Sequence, residues 1–206
     1  MKQLNKKIIL RQIDSLLVSV LVTAIAASGW FDELDYKVSD WLYQKTSERS
    51  PDIVIIGIDS TTLSKLGSIS SWIRKDIAQA IKYLNENDPN ARPAAIGIDF
   101  LFTGENHEAP DWDTTLVEVV AKSGNVVVAS AAIVDDDLIS DSDPYAVWDK
   151  TWQWDSPFKA LAEVADIGHI CEPYDADGII RNQLLYINAQ ERGRIDSFAR
   201  VLYEKF

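Results

Sequence analysis

The sequence predicts an α/β fold: a three-layer-like domain with a mainly parallel central sheet, a C-terminal antiparallel addition, and a long N-terminal transmembrane and juxtamembrane helix. Three observations carry this. Ile-Gly-Ile-Asp occurs twice, at 56–59 and 96–99, each time closing a short apolar run; such runs, bounded by turn signals, read as strands buried on both faces of a parallel sheet. Between the copies Ile73, Ile77, Ala80, Ile81 and Leu84 recur at helical spacing, so strand, helix and strand make a parallel unit with both aspartates at its carboxyl end. Residues 12–31 are twenty positions with Asp14 as the single charge, a length that crosses a bilayer.

The elements follow in order. Lys2, Lys6, Lys7 and Arg11 precede the apolar stretch, which predicts a cytoplasmic N-terminus, with Trp30 and Phe31 at the far interface and the bulk of the chain outside. Small residues at 24–28 would suit a signal-peptidase site. Phe31, Leu34, Val38, Trp41 and Leu42 continue the helical spacing without a break, which favours an uncleaved anchor whose helix runs on to about residue 47. The domain division is therefore 1–30, a basic stub plus anchor, and 31–206, an extracytoplasmic domain. Within the latter, a strand at 53–58 leads to a short helix at 60–66, capped by Ser60 or Thr61 and stopped by Gly67. A longer helix from about Arg74 ends at Asn87-Asp88-Pro89, and a strand occupies 94–98. A helix at about 113–122, with Leu116, Val119 and Val120 inward, ends at Ser123-Gly124-Asn125, and a third strand follows at 126–129. An acidic, tryptophan-bearing insertion at about 134–155 interrupts the pattern. It resumes with a helix at 157–165, a turn at 175–178, a strand at 179–187 and a final helix at 195–206.

The formal charge is −12 over 206 residues; the first eleven carry four positive charges and no negative one, so the rest carry −16. A surface that acidic repels phosphate backbones, which argues against nucleic acid as a partner. A single cysteine, Cys171, rules out an internal disulfide.

The paired aspartates, Asp59 and Asp99, lie at the sheet edge where α/β domains bind ligands. They could hold a divalent ion or share a proton, or each could cap the loop that follows it. A phosphate loop of the sugar-kinase and actin type needs glycine directly after the aspartate, where Ser60 stands. An aspartyl-phosphate hydrolase needs a second aspartate two positions on, where Thr61 stands. Arg74 either faces the strand-end crevice or pairs with Asp59 or Asp99. Asp177-Gly178 is a turn signal, with Arg181 spaced to meet a carboxylate across it. His169 and Cys171 share a face of an extended segment but lack further nitrogen or sulfur ligands for zinc, so both are expected in the core edge.

Taken in order, the segments DIVIIGID, the helix ending Lys65-Leu66-Gly67, Trp72 with Arg74, AAIGIDFLF, Asp113 leading LVEVVAKSGNVVVAS, and DADGIIR resemble the type-two CHASE domain, the cyclases/histidine kinases-associated sensory extracellular module. The resemblance runs from about residue 31 to 206. The family's tryptophan-proline-tryptophan-proline-arginine segment appears here as Ser70-Ser71-Trp72-Ile73-Arg74, without its prolines. It implies an extracytoplasmic input module of a bacterial membrane receptor of cyclase, histidine kinase or protein kinase type, with any catalytic output domain beyond residue 206.

The expectation is a non-enzymatic sensor with no cofactor, no metal and no catalytic residue, anchored in the inner membrane by one N-terminal span, periplasmic in its main domain, and dimeric through its N-terminal helix. The signal, a small molecule or protein, is expected to bind near Asp59, Ser60, Arg74, Asp99 and Phe102, with Asp177 and Arg181 at the rim. The alternatives are a divalent-metal-dependent hydrolase using Asp59 and Asp99, and an interaction or oligomerisation module using residues 135–154.

Overall fold

The computed structural model describes residues 2–29, 31–43, 50–133, 153–174, 178–181, 183–189 and 192–206. Trp30, the junction at 48–49, most of the acidic insertion and Asp177 lie outside the described residues. The chain divides into two compact units, one up to residue 57 and one from residue 58.

The first unit holds α1 (Lys2–Ala27) and α2 (Asp32–Tyr43). Within α1, residues 10–27 have a mean hydropathy of 1.6 and none is buried, so this helix is long and apolar enough to cross a membrane. The single continuous helix expected to residue 47 is instead two helices. Gly29, at φ 74°, takes a left-handed conformation that ends α1, and the apolar spacing continues across the break because it resumes in α2. The strand expected at 53–58 is not formed. These residues belong to no strand, and Ile53, Val54, Ile55 and Ile56 are 70%, 82%, 89% and 72% exposed. An apolar, β-branched run specifies extended backbone, but a strand exists only through its ladder partner.

The second unit contains α3 (Ser60–Leu66), a 3₁₀ turn (Ile69–Ser71), α4 (Ile73–Glu86), β1 (Ile96–Ile98), α5 (Pro110–Ser123) and β2 (Val126–Ile133). After them come β3 (Gln153–Asp155), α6 (Lys159–Ala162), β4 (Asp166–His169), β5 (Tyr186–Ala189), β6 (Gly193–Asp196) and α7 (Phe198–Lys205). β2 is the centre: β1 and β4 pair with it in parallel and β3 pairs antiparallel with its distal half. β5 and β6 form a separate antiparallel hairpin. The mainly parallel sheet with an antiparallel addition is thus present. The strand expected at 179–187 begins only at Tyr186, and the last helix starts at Phe198 because residues 193–196 pair as β6.

Alternation along the sheet explains the layers. Ile96, Ile98, Val126, Val128 and Ile167 point to one face, into a core with Ile73, Ala78 and Ile81 of α4 and Leu116 and Val120 of α5. The opposite face carries Gly97 and Gly168, and α7 lies against it. A Cβ on Gly97 would stand 2.9 Å from both Leu202 Cδ1 and Phe198 Cζ; one on Gly168 would stand 2.7 Å from the backbone nitrogen of Phe198. The glycines allow α7 to approach that closely. Gly168→Ala must displace backbone, whereas Gly97→Ala displaces only side-chain ends. Overpacking costs typically 1–3 kcal/mol, so denaturant melts should show a loss of about 3 kcal/mol for Gly168→Ala and about 1 kcal/mol for Gly97→Ala; equal losses would contradict this packing.

Candidate functional site

The carboxyl end of β1 opens into a loop, residues 99–109, that leads into α5. Its geometry depends on one ion pair. Arg74 is in the first turn of α4, at the positive end of the helix dipole, where a guanidinium needs a nearby carboxylate. Asp113, in the first turn of α5 and 8% exposed, supplies it: Arg74 Nε lies 2.8 Å from Asp113 Oδ1. The remaining atoms of the pair hold the loop. Arg74 Nη2 donates to Gly104 O at 2.7 Å, and Asp113 Oδ2 accepts from Asn106 N at 2.6 Å. Asn106 Oδ1 then accepts from the amides of Glu108 and Ala109, a side-chain turn that leads into Pro110, the first residue of α5. The guanidinium carbon also lies 5.9 Å from the Phe102 ring centroid and 5.5 Å from that of Phe158, so aromatic faces flank its charge.

The residues singled out from the sequence are placed as follows. Phe102 is 1% exposed and stands beside Arg74. Asp59 is the N-cap of α3, accepting from Thr62 N at 2.8 Å and Thr62 Oγ1 at 2.9 Å; these bonds from Thr62 hold its carboxyl below the usual value. Ser60, expected with Thr61 as the cap of this helix, is instead the exposed first residue of α3, because the Asp59 carboxylate takes the capping bond. Asp99 is exposed just beyond β1. Arg181 is half-buried and has an interaction partner, and Asp177 lies outside the described residues. Arg74 and Phe102 are therefore brought together; the partner of Arg74 is Asp113, not Asp59 or Asp99. The signal that points to Asp113 is electrostatic: a cation at one helix N-terminus and an acid at the next.

His169 and Cys171 are both buried. Cys171 Sγ accepts from Ala132 N at 3.0 Å, and burial pushes its thiol up. His169 is 2% exposed and, among the described residues, neither ring nitrogen has a hydrogen-bond partner. Burial lowers its pKa from 6.5 to about 4, against a smaller opposing pull from Asp196. Among the described residues no group of three or more His, Cys, Asp or Glu is placed to hold a metal ion.

These features define a class: an α/β domain carried behind a helix able to cross a membrane. A family model described as "CHASE2 domain" matches residues 17–206, and the chain belongs to that family, the extracellular sensory domains of signalling receptors. A CHASE2 domain is sensory, not catalytic. No curated protein and no solved structure matches the chain.

Two measurements check the site's physics. Breaking a buried pair from one side strands a charge and costs about 3–5 kcal/mol, so Asp113→Ala and Arg74→Met should each destabilise the domain by about 3 kcal/mol. The double variant should recover much of that loss in a double-mutant cycle; simple additivity would mean the pair is not coupled. For His169, the folded pKa lies below the unfolded one, so the unfolded chain takes up a proton first as the pH falls. Stability is then lost between about pH 7 and pH 4, by roughly 3 kcal/mol from this group. Melts of His169→Gln across that window should show a flatter slope than wild type.

Proposed function

We propose that this chain is the extracytoplasmic input module of a bacterial membrane receptor whose output is of cyclase, histidine kinase or protein kinase type. Supporting this reading is the family match over residues 17–206, together with the apolar helix at its start. In this reading residues 1–30 anchor the chain in the inner membrane and residues 31–206, with the acidic insertion at 134–155, lie in the periplasm. Two copies associate through their N-terminal helices: Phe31, Leu34, Val38 and Trp41 are each more than half exposed at the three-four spacing of a helical seam, and anchoring forces the helices to be parallel.

The signal meets the loop edge at the carboxyl end of β1. Arg74 and Phe102 shape that edge, and Asp59, Ser60, Asp177 and Arg181 are the further contacts. Asp99, like Glu105 and Glu108 of the same loop, is an exposed carboxylate there that can meet a cationic group.

Protease added outside intact spheroplasts should digest the domain from residue 31 onward; a domain protected until the membrane is permeabilised would overturn the topology. In the purified full chain, Asp59→Asn should lower the melting temperature slightly through its lost cap, while Asp99→Asn should leave it unchanged. A Ca²⁺ or Mg²⁺ titration that raises the melting temperature of wild type and not of Asp99→Asn supports recognition at this carboxylate. An equal response in both removes Asp99 from the site.

A further inference from the structure

Strands β4 and β6 meet at one end and part at the other. A parallel bridge between His169 and Ser197 joins them; toward their N-termini β4 pairs only with β2 and β6 only with β5 among the described residues. The wedge between them is a crevice of about 590 Å³, within the ~300–1,000 Å³ that small-molecule sites occupy. Trp154 and Ser156 at the end of β3, Arg192, Arg194 and Ile195 of the hairpin, and Val201 of α7 line it. Alternation along an extended segment puts Trp154 and Ser156 on one face and Asp155 on the other. Trp154 is also packed against the buried Cys171, Leu184 and Ile187, which fixes its ring as a wall.

Charge selects the occupant. The carboxylates at the crevice are already paired: Asp166 with Lys205, Glu204 with Arg200, and Asp196 with Arg194 at 2.7 Å. The Arg194 guanidinium also lies 4.2 Å from the Tyr186 ring centroid. Arg192 meets a neutral group, its Nη1 donating to Ser156 Oγ at 2.7 Å. Among the described residues, the groups lining the crevice and their ion-pair partners therefore carry one cation in excess, on a chain whose formal charge is −12. A local positive excess on so acidic a surface draws anions to that spot.

We propose that this crevice binds a small organic acid, its carboxylate on Arg192 and Ser156 and its apolar or aromatic body along Trp154, Ile195 and Val201. The guanidinium presents parallel N–H donors that match a carboxylate, and a monocarboxylate equals the single excess charge. A phosphate, at about −1.5 to −2, exceeds it and meets the carboxylates of Asp166, Asp196 and Glu204. The crevice includes α7, which covers one face of the sheet, whereas Arg74 and Asp113 belong to α4 and α5 on the other. It is thus a second site, for the opposite ligand charge, and does not rest on the reading of the loop edge at 99–109.

The probe is phenylpropionate, titrated against the full-length chain in lipid nanodiscs and followed by saturation-transfer NMR, with empty nanodiscs subtracted. An acid of this size should bind with a dissociation constant of about 1 mM. Arg192 is exposed, so Arg192→Gln should leave the melting temperature unchanged and weaken binding about tenfold, the loss of one charge-assisted hydrogen bond. Lys82→Gln, an exposed change of the same charge on α4, should bind as wild type does. Phenylpropylamine, with the same ring and the opposite charge, should not bind. Equal binding by wild type and Arg192→Gln overturns the site, as does an amine that binds as tightly as the acid or an acid that does not bind at all. Displacement of the acid by an equal concentration of inorganic phosphate overturns the assignment to organic acids. None of these results bears on the loop edge, which the Ca²⁺ and Mg²⁺ titration tests separately.

Discussion

The first half of strand β2 has water on neither face, and most of the domain's architecture follows from that constraint. Val126, Val127, Val128 and Ala129 are all at most 2% exposed, so helices must cover both sides of the sheet. On one side the cover is an interdigitated core of isoleucine, leucine and valine from α4 and α5. On the other it is α7, which approaches the sheet backbone directly over Gly97 and Gly168. The two faces are thus solved differently, one by bulky side chains and the other by their absence. Two of the buried polar side chains, Asn125 and Ser130, find partners locally. Asn125, 7% exposed, donates to Asn85 Oδ1 and Pro93 O, which ties the end of α4 to the entry of β2. Ser130 donates to Gly168 O within the sheet. Each of these donors would otherwise leave a desolvated partner.

At the opposite end of the sheet the Arg74–Asp113 pair does for the loop what the glycines do for α7. It joins the N-termini of two helices and, through Gly104 O and Asn106 N, fixes the backbone between β1 and α5. Both members are mostly buried, so neither can be released to solvent cheaply. The pair therefore organises the edge and is not itself a freely available recognition group. Asp99 stands apart from it, exposed.

Legibility from sequence divided along physical lines. Residues 96–98 and 126–129 were readable as strands because their partner is each other: a parallel pair separated by one helix is local information. Residues 53–58 have a stronger apolar run than β1, yet form no strand, because pairing is a property of two segments and the run describes only one. β4 was missed since Asp166-Ile167-Gly168-His169 offers one bulky apolar residue in four; what makes it a strand is its register against β2 and the close approach of α7. The final helix was read three residues early, as Ile195 shares the helical spacing of Phe198 and Leu202 while pairing with Ile187 in the hairpin. At the site, Asp59 as a capping residue was among the readings the sequence allowed, and the cap is present. The Arg74–Asp113 contact was not foreseen, because the two residues are 39 positions apart and spacing carries no information at that range. Only the mismatch between a cation and the positive end of its helix hinted that a carboxylate had to be nearby.

A sensory domain has to convert occupancy into a difference between two arrangements, and a ligand shifts an equilibrium only by its difference in affinity for them. Loop 99–109 is short and has few independent ways to move. Its middle is tied to α4 through Gly104 O and to α5 through Asn106 N, and its start is the end of β1. Any displacement that keeps the buried pair intact must carry the N-termini of α4 and α5 together, since separating the charges costs several kcal/mol. Those helices pack on each other along the same core, so the smallest coherent motion open to the loop is a shift of the α4–α5 pair over the sheet face. Side chains on that face interlock tightly, which favours two discrete packings over a continuum. The helix pair, more than any single loop residue, is the element whose position a signal at this edge would set.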